Sequence, residues 1–194
     1  ILISVDLVGI PGHIRKKLAD ILSQKAGIDP AHLLVSSTHT HGGPEVGNLL
    51  NILQYRGDHF SDSLLAVDHL IHISSYSEQL IVKLEQVAMA ALKDRRPGRV
   101  SWGQGEVGFA KNRRTPGGPV DTALPLMRVC DIEGNLRAVF VNYACHGTTL
   151  EGDTNQVHGD WAGFAQEFIE KEYLKADIPI RDVNLKFIKG FEYF

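Results

Sequence analysis

At 194 residues, with 43% apolar and 22% charged side chains, the chain has the make-up of one ordinary globular domain and not of a disordered segment. A net charge of −3 without any lysine/arginine block excludes an electrostatic case for nucleic acid or for a polybasic membrane patch. Two cysteines are too few for a disulfide scaffold, and no apolar run approaches the roughly 20 residues that cross a bilayer.

Residues 1–9 predict a buried strand, already under way at Ile1, so the chain is expected to be part of a larger protein. After Pro11-Gly12, the apolar residues Ile14, Leu18, Ile21 and Leu22 recur at helical spacing to about Ala26, where Gly27 suits a helix end. Asp29-Pro30 then turns into a second strand, Leu33-Leu34-Val35, so that the opening predicts a βαβ unit with parallel strands. From Val46 to Ser75 the periodicity is poor, which predicts a surface loop with His59, His69 and His72 in solvent. Tyr76 to Lys93 predicts a helix with a stripe of Leu80, Leu84, Val87, Ala88 and Ala91. Strands follow at Val100–Gly103 and Glu106–Ala110, then the polar loop Asn112–Pro119. Leu126–Cys130 and the long run from Arg137 flank Asp131–Asn135, a hairpin signal with Gly134 and Asn135 available for positive φ. The last helix is expected over Trp161–Tyr173, with Trp161, Phe164, Ala165, Phe168 and Ile169 facing inward and Asp160 at its N-cap. The whole predicts one α/β domain over residues 1–194: a mixed sheet with a βαβ start, flanking helices, a β-hairpin, and an active site at the strands' C-terminal ends.

Chemistry concentrates at two strand ends. Ser36-Ser37-Thr38-His39-Thr40-His41-Gly42-Gly43-Pro44 follows the second strand, and strand alternation places His39 and His41 on one face. The run from Arg137 ends in Cys145-His146-Gly147, which places His146 at the end of a central strand. Imidazole is a common zinc ligand and a general acid or base near neutral pH. A catalytic zinc takes about three protein ligands, and Glu151, Asp153, His158 and Asp160 are candidates to complete a shell with His39 and His146. The alternative is a pair of buried histidines bonded to backbone or to each other. A Cys145–His146 dyad is excluded if both lie in a strand, because neighbours there face opposite sides. Asp160 has two readings, a helix cap or an acceptor for the free ring N–H of a ligand histidine.

The string Leu34–Pro44 resembles the Thr-His-Thr-His-Ser-Gly-Pro segment of the neutral/alkaline, non-lysosomal ceramidases, with Gly42 in place of the serine. Asn142–Thr148 resembles that family's second histidine strand, and His158-Gly159-Asp160-Trp161-Ala162-Gly163 resembles the Ser-Ala-Asp-Trp-Pro-Gly of its bacterial members. Asn112-Arg113-Arg114 sits where the family has an Asn-Arg loop, and Val5-Asp6-Leu7 also fits. The resemblance implies the N-terminal part of a zinc amidase that cleaves the N-acyl bond of ceramide or a related lipid amide. It implies that His39 and His146 bind zinc, that His41 holds the substrate or its oxyanion, and that Arg113, with Arg114 as the register alternative, contacts the reacting carbonyl. It further implies contact with a membrane surface and a secreted or periplasmic location. A glutamate and a tyrosine complete the zinc shell in that family, in a context that Ile178–Phe194 does not reproduce despite Glu192 and Tyr193. The rival from another class is therefore a non-catalytic binding homologue with an incomplete shell.

Overall fold

The computed structural model describes residues 1–47, 49, 63–150, 154 and 156–173, apart from the side chains of 63–66. It is an α/β structure in which two compact units can be distinguished, one formed by residues 1–95 and 152–159 and the other by 96–151 and 160–194.

In the first unit, β1 (Leu2–Val5) and β2 (Leu34–Ser37) pair in parallel, Leu2 opposite Leu34 and Val5 opposite Ser37, and α1 (Gly12–Ala26) connects them. The expected βαβ unit is present. Helix α1 buries Ile14, Leu18 and Leu22 completely, a stripe at i, i+4, i+8. It ends as its sequence dictates: Gly27 takes φ 63°, its N–H bonds Ser23 O, and the next N–H reaches back to Leu22 O. Against α1 packs α2 (Ser63–Lys93), whose buried residues include Leu80, Ile81, Leu84 and Ala88.

Helix α2 corrects two expectations. It begins at Ser63, not near Tyr76, so His69 and His72 lie on a helix and meet carboxylates, His69 at Glu45 (3.1 Å) and His72 at Asp68 (3.7 Å). Val67, Leu70 and Ile71 of this stretch are exposed, so its apolar residues do not mark one buried face. The buried stripe also runs through Ile81 instead of Val87, which is exposed. His59 lies outside the described residues. No described helix is long and apolar enough to cross a membrane.

The second unit holds an antiparallel sheet of order β3-β4-β5, formed by Gly98–Glu106, Ala123–Asp131 and Leu136–Val141. Parallel and antiparallel pairing thus occur in separate sheets among the described residues. The β4–β5 turn uses Gly134 at φ 98°, while Asn135 keeps a negative φ and gives its backbone and side-chain N–H groups to the Asp131 carboxylate. Strand β3 stops at Glu106, so 107–110 is not the strand expected there. It is a buried segment anchored by Tyr143, whose hydroxyl donates to Val107 O (2.8 Å) and accepts from Ala110 N (3.1 Å). Burial pushes the Tyr143 phenol up, which keeps it a donor at any physiological pH. Phe109, Tyr143 and Trp161 form an aromatic cluster with centroids 4.9–6.1 Å apart. Trp161 belongs to α3 (Asp160–Tyr173), whose Ala165, Phe168 and Ile169 complete this core. Phe164 is 41% exposed and does not face inward as expected.

Tyr143→Phe leaves the Ala110 N–H and the Val107 carbonyl without their partner in a buried site. It should cost about 1–3 kcal/mol in chemical denaturation, with the sheet's circular dichroism unchanged.

Candidate functional site

Both histidine segments lie beyond the ends of their strands. Strand β2 ends at Ser37, and His39 has φ 61°, a left-handed conformation uncommon outside glycine. Strand alternation therefore does not apply at His39. Backbone bonds hold the turn instead: Thr38 N donates to Val5 O and His39 N to Leu7 O. The His39 ring closes it, with Nδ1 2.6 Å from Val8 O. A carbonyl accepts only, so Nδ1 carries the proton and Nε2 presents its lone pair. The His41 ring stands edge-on to His39, centroids 5.2 Å apart at 88°. The two imidazoles are neighbours, as alternation required, although a turn brings them together.

Thr40, between them, is buried and directs its side chain the other way. Its hydroxyl donates to His158 O (2.8 Å) and accepts from Gly42 N (3.1 Å), while His158 N donates to Gly42 O (3.1 Å). This strap lays the His158 ring on Gly42, where a Cβ would come within 2.4 Å of Cε1. Gly43 is tighter against backbone: a Cβ there would lie 2.6 Å from Asp6 O. The Gly-Gly of this segment follows from packing, since β2 has already ended at Ser37.

In the second unit, β5 ends at Val141 and is an edge strand among the described residues, so there His146 does not follow a central strand as expected. It is exposed, five residues further on, in irregular backbone laced to the start of α3. On one side of it, Trp161 Nε1 donates to Cys145 O (3.1 Å). On the other, the Asp160 carboxylate accepts from Thr149 N (3.0 Å), Thr149 Oγ1 (2.8 Å) and Leu150 N (3.2 Å), and also from Trp161 N (2.8 Å). Asp160 is 1% exposed, and its φ of 54° aims the carboxylate back at these donors. Burial alone raises this carboxyl, but the bonds from Trp161, Thr149 and Leu150 together hold it below the usual range. The sequence expectation of a helix cap captured the Trp161 bond alone. That Asp160 clamps the turn after His146 was missed, because nothing in the sequence ties residue 160 to 149.

Arg113 is held at the same place. Asn112 Oδ1 accepts from Arg114 N (3.1 Å) and Thr115 N (3.0 Å), an Asx turn that shapes the loop, and Arg113 donates to Thr148 Oγ1 (3.0 Å). Arg113 and His146 line a pocket of about 520 Å³ with an apolar wall that includes Trp161, Phe164 and Phe168; Arg114 is not among its lining residues. Cys145 also lines it, with its thiol pushed up by burial and by the Asp160 charge, Arg113 opposing. Neither Cys145 nor His146 lies in a strand, so alternation does not separate them; the Cys145 thiol meets the His146 backbone carbonyl (3.7 Å). Glu151, Asp153, Glu192 and Tyr193 lie outside the described residues.

No family model and no curated protein matches the sequence. Among solved structures the fold is similar to a ceramidase complexed with C2 (TM-score 0.68, 18% identity, 90% of this chain and 28% of that one). It is also similar to the neutral ceramidase from Pseudomonas aeruginosa (TM-score 0.64, 16% identity, 99% of this chain and 34% of that one). The chain thus spans about a third of the length of these ceramidases and shares the fold of that part.

Two tests follow from the straps. Gly42→Ser should destabilise by about 1–3 kcal/mol through overlap with the His158 ring. Adding His158→Ser should recover most of that loss, giving a coupling energy of about 1 kcal/mol or more in a double-mutant cycle. For Asp160, a lowered folded pKa means that its stabilisation is complete above the unfolded value of about 3.9 and is lost as pH falls through the folded one. Thermal unfolding should therefore show stability declining below about pH 4, and Asp160→Ala should remove that part of the decline while costing about 1–3 kcal/mol at neutral pH.

Proposed function

We propose that the chain is part of a metal-dependent amide hydrolase of the ceramidase type, acting on an N-acyl lipid at a membrane surface outside the cytoplasm. The observation that carries this reading is the donor set. His39 and His41 stand side by side in the first unit, imidazoles of the kind zinc takes, and the Val8 carbonyl 2.6 Å from Nδ1 orients the His39 ring. The strained backbone at His39 supports it further, since left-handed non-glycine residues cluster where a side chain must be aimed.

In this reading His39 and His146 hold the zinc, which lowers the pKa of bound water and polarises an amide carbonyl. The remaining roles belong to the chain's own side chains. His41, beside His39, hydrogen-bonds the substrate oxygen and the negative charge that grows on it. Arg113 supplies a permanently cationic donor to the reacting carbonyl, steadied by Thr148 so that less freedom is lost when substrate arrives. The pocket that Arg113 and His146 share receives an aliphatic chain along Trp161, Phe164 and Phe168 and excludes water from it.

His39→Ala should abolish metal retention and hydrolysis together. His41→Ala should keep the metal and lower turnover by about 10²-fold. Metal analysis beside a rate assay with an N-acyl lipid, on full-length protein, checks both. Loss of zinc from His41→Ala as complete as from His39→Ala would make His41 a ligand. A wild-type protein holding no metal would favour the non-catalytic reading instead.

A further inference from the structure

The pocket of the second unit combines an apolar wall with two cations and no acid. Phe109, Phe164 and Phe168 supply the wall and Lys111 and Arg113 the charges; among the described residues no aspartate or glutamate lines it, and the buried Asp160 carboxylate behind Thr149 and Leu150 is already met by four donors. Among the described residues neither cation has a carboxylate within ion-pair distance, and the Arg113 side chain bonds only the neutral Thr148 hydroxyl. The proposed chemistry employs Arg113 but gives Lys111 no task, because a neutral amide with a neutral head group has nothing for a second cation to neutralise. A positive rim beside an apolar wall is complementary to an aliphatic chain that bears an anion.

Resting on the amidase reading above, we propose that this pocket selects acyl compounds carrying a carboxylate, and that the substrate class is the N-acyl amino acids. Lys111 is the specificity-determining residue. The acyl chain lies along Phe164 and Phe168, the amide carbonyl meets Arg113, and the amino-acid carboxylate meets the Lys111 ammonium. In the reaction the oxygen of water bonds the acyl carbon, the C–N bond breaks, and the nitrogen takes a proton and leaves as the amine of the amino acid. A partly exposed ion pair of this kind is expected to favour the anionic ligand about tenfold at low salt, less at high salt.

The test compares N-lauroylglycine with N-lauroylethanolamine, which share the chain and the amide but differ in charge. Calorimetric titration of the full-length protein, stripped of metal by a chelator, should show N-lauroylglycine binding about tenfold tighter. Lys111→Gln should bring the two ligands within about twofold, and 1 M salt should narrow the gap likewise. Equal binding by the wild type, or a preference untouched by Lys111→Gln, overturns the proposal. So does a preference that appears only once zinc is restored, since the carboxylate would then be on the metal. Rates with the zinc-loaded protein separate the two readings. Hydrolysis of both compounds at equal kcat/KM defeats the selectivity and leaves the amidase standing. Failure to hydrolyse either, with the Lys111-dependent binding preference intact, defeats the amidase and leaves the anion-selective pocket standing.

Discussion

The Asp160 carboxylate is nearly solvent-free, and it remains ionised because four donors converge on its two oxygens from Thr149, Leu150 and Trp161. Withdrawing a charge from water is expensive unless such bonds replace its hydration, so the donors have little freedom to drift. That constraint spreads outward. Through Thr149 and Leu150 it fixes the far side of the turn that carries His146, while the Trp161 indole fixes the near side at Cys145 O. Thr148 lies inside the clamped turn and is the group that steadies Arg113. One buried anion at the head of α3 thereby sets the positions of a histidine and an arginine from two distant stretches of sequence.

The first unit solves the same problem without a charge. His39 bends away from strand geometry at φ 61°, and the cost of that conformation, of order 1–3 kcal/mol, is met by bonds from Thr38 and His39 to the end of β1 at Val5 and to Leu7 and Val8 beyond it. Thr40 faces the opposite way and straps Gly42 to His158. The ceramidase segment that this string resembles has serine where Gly42 stands, and serine again where His158 stands. In this chain the His158 ring occupies the space that a Cβ at 42 would need.

The elements most legible in the sequence were those whose signal is local. Helix α1 announced itself from Gly12 to Gly27 because its stripe and its left-handed end are written in consecutive residues. The parallel β1–β2 pair followed from the short connections around it. The candidate site was legible as residue types at strand ends, but not as geometry. His39 looked like a strand residue because nothing nearby shows that the carbonyls of the β1 loop would draw it into a turn. Asp160 looked like a helix cap because the partners that use most of its oxygens lie ten residues and more upstream. The first half of α2 was unreadable for a different reason: Val67, Leu70 and Ile71 are exposed, so the apolar residues around His69 and His72 trace no single buried stripe.

Both histidine turns share a design that explains these failures. Regular pairing ends at Ser37 and at Val141, and the candidate histidines come two to five residues later, in backbone whose course is not set by a ladder. Alternation in a strand would also have set His39 and His41 together and Thr40 apart, and the turn adds the close approach of the His39 ring to Val8 O. Leaving the ladder frees each direction to be chosen, at the expense of strain that Val8, Asp160 and the glycines must absorb. The same freedom exposes the imidazoles: all three are open to solvent, so burial cost does not compel them to bind anything. What distinguishes them from ordinary surface histidines is the precision with which one of them, His39, has had its proton assigned by a backbone carbonyl.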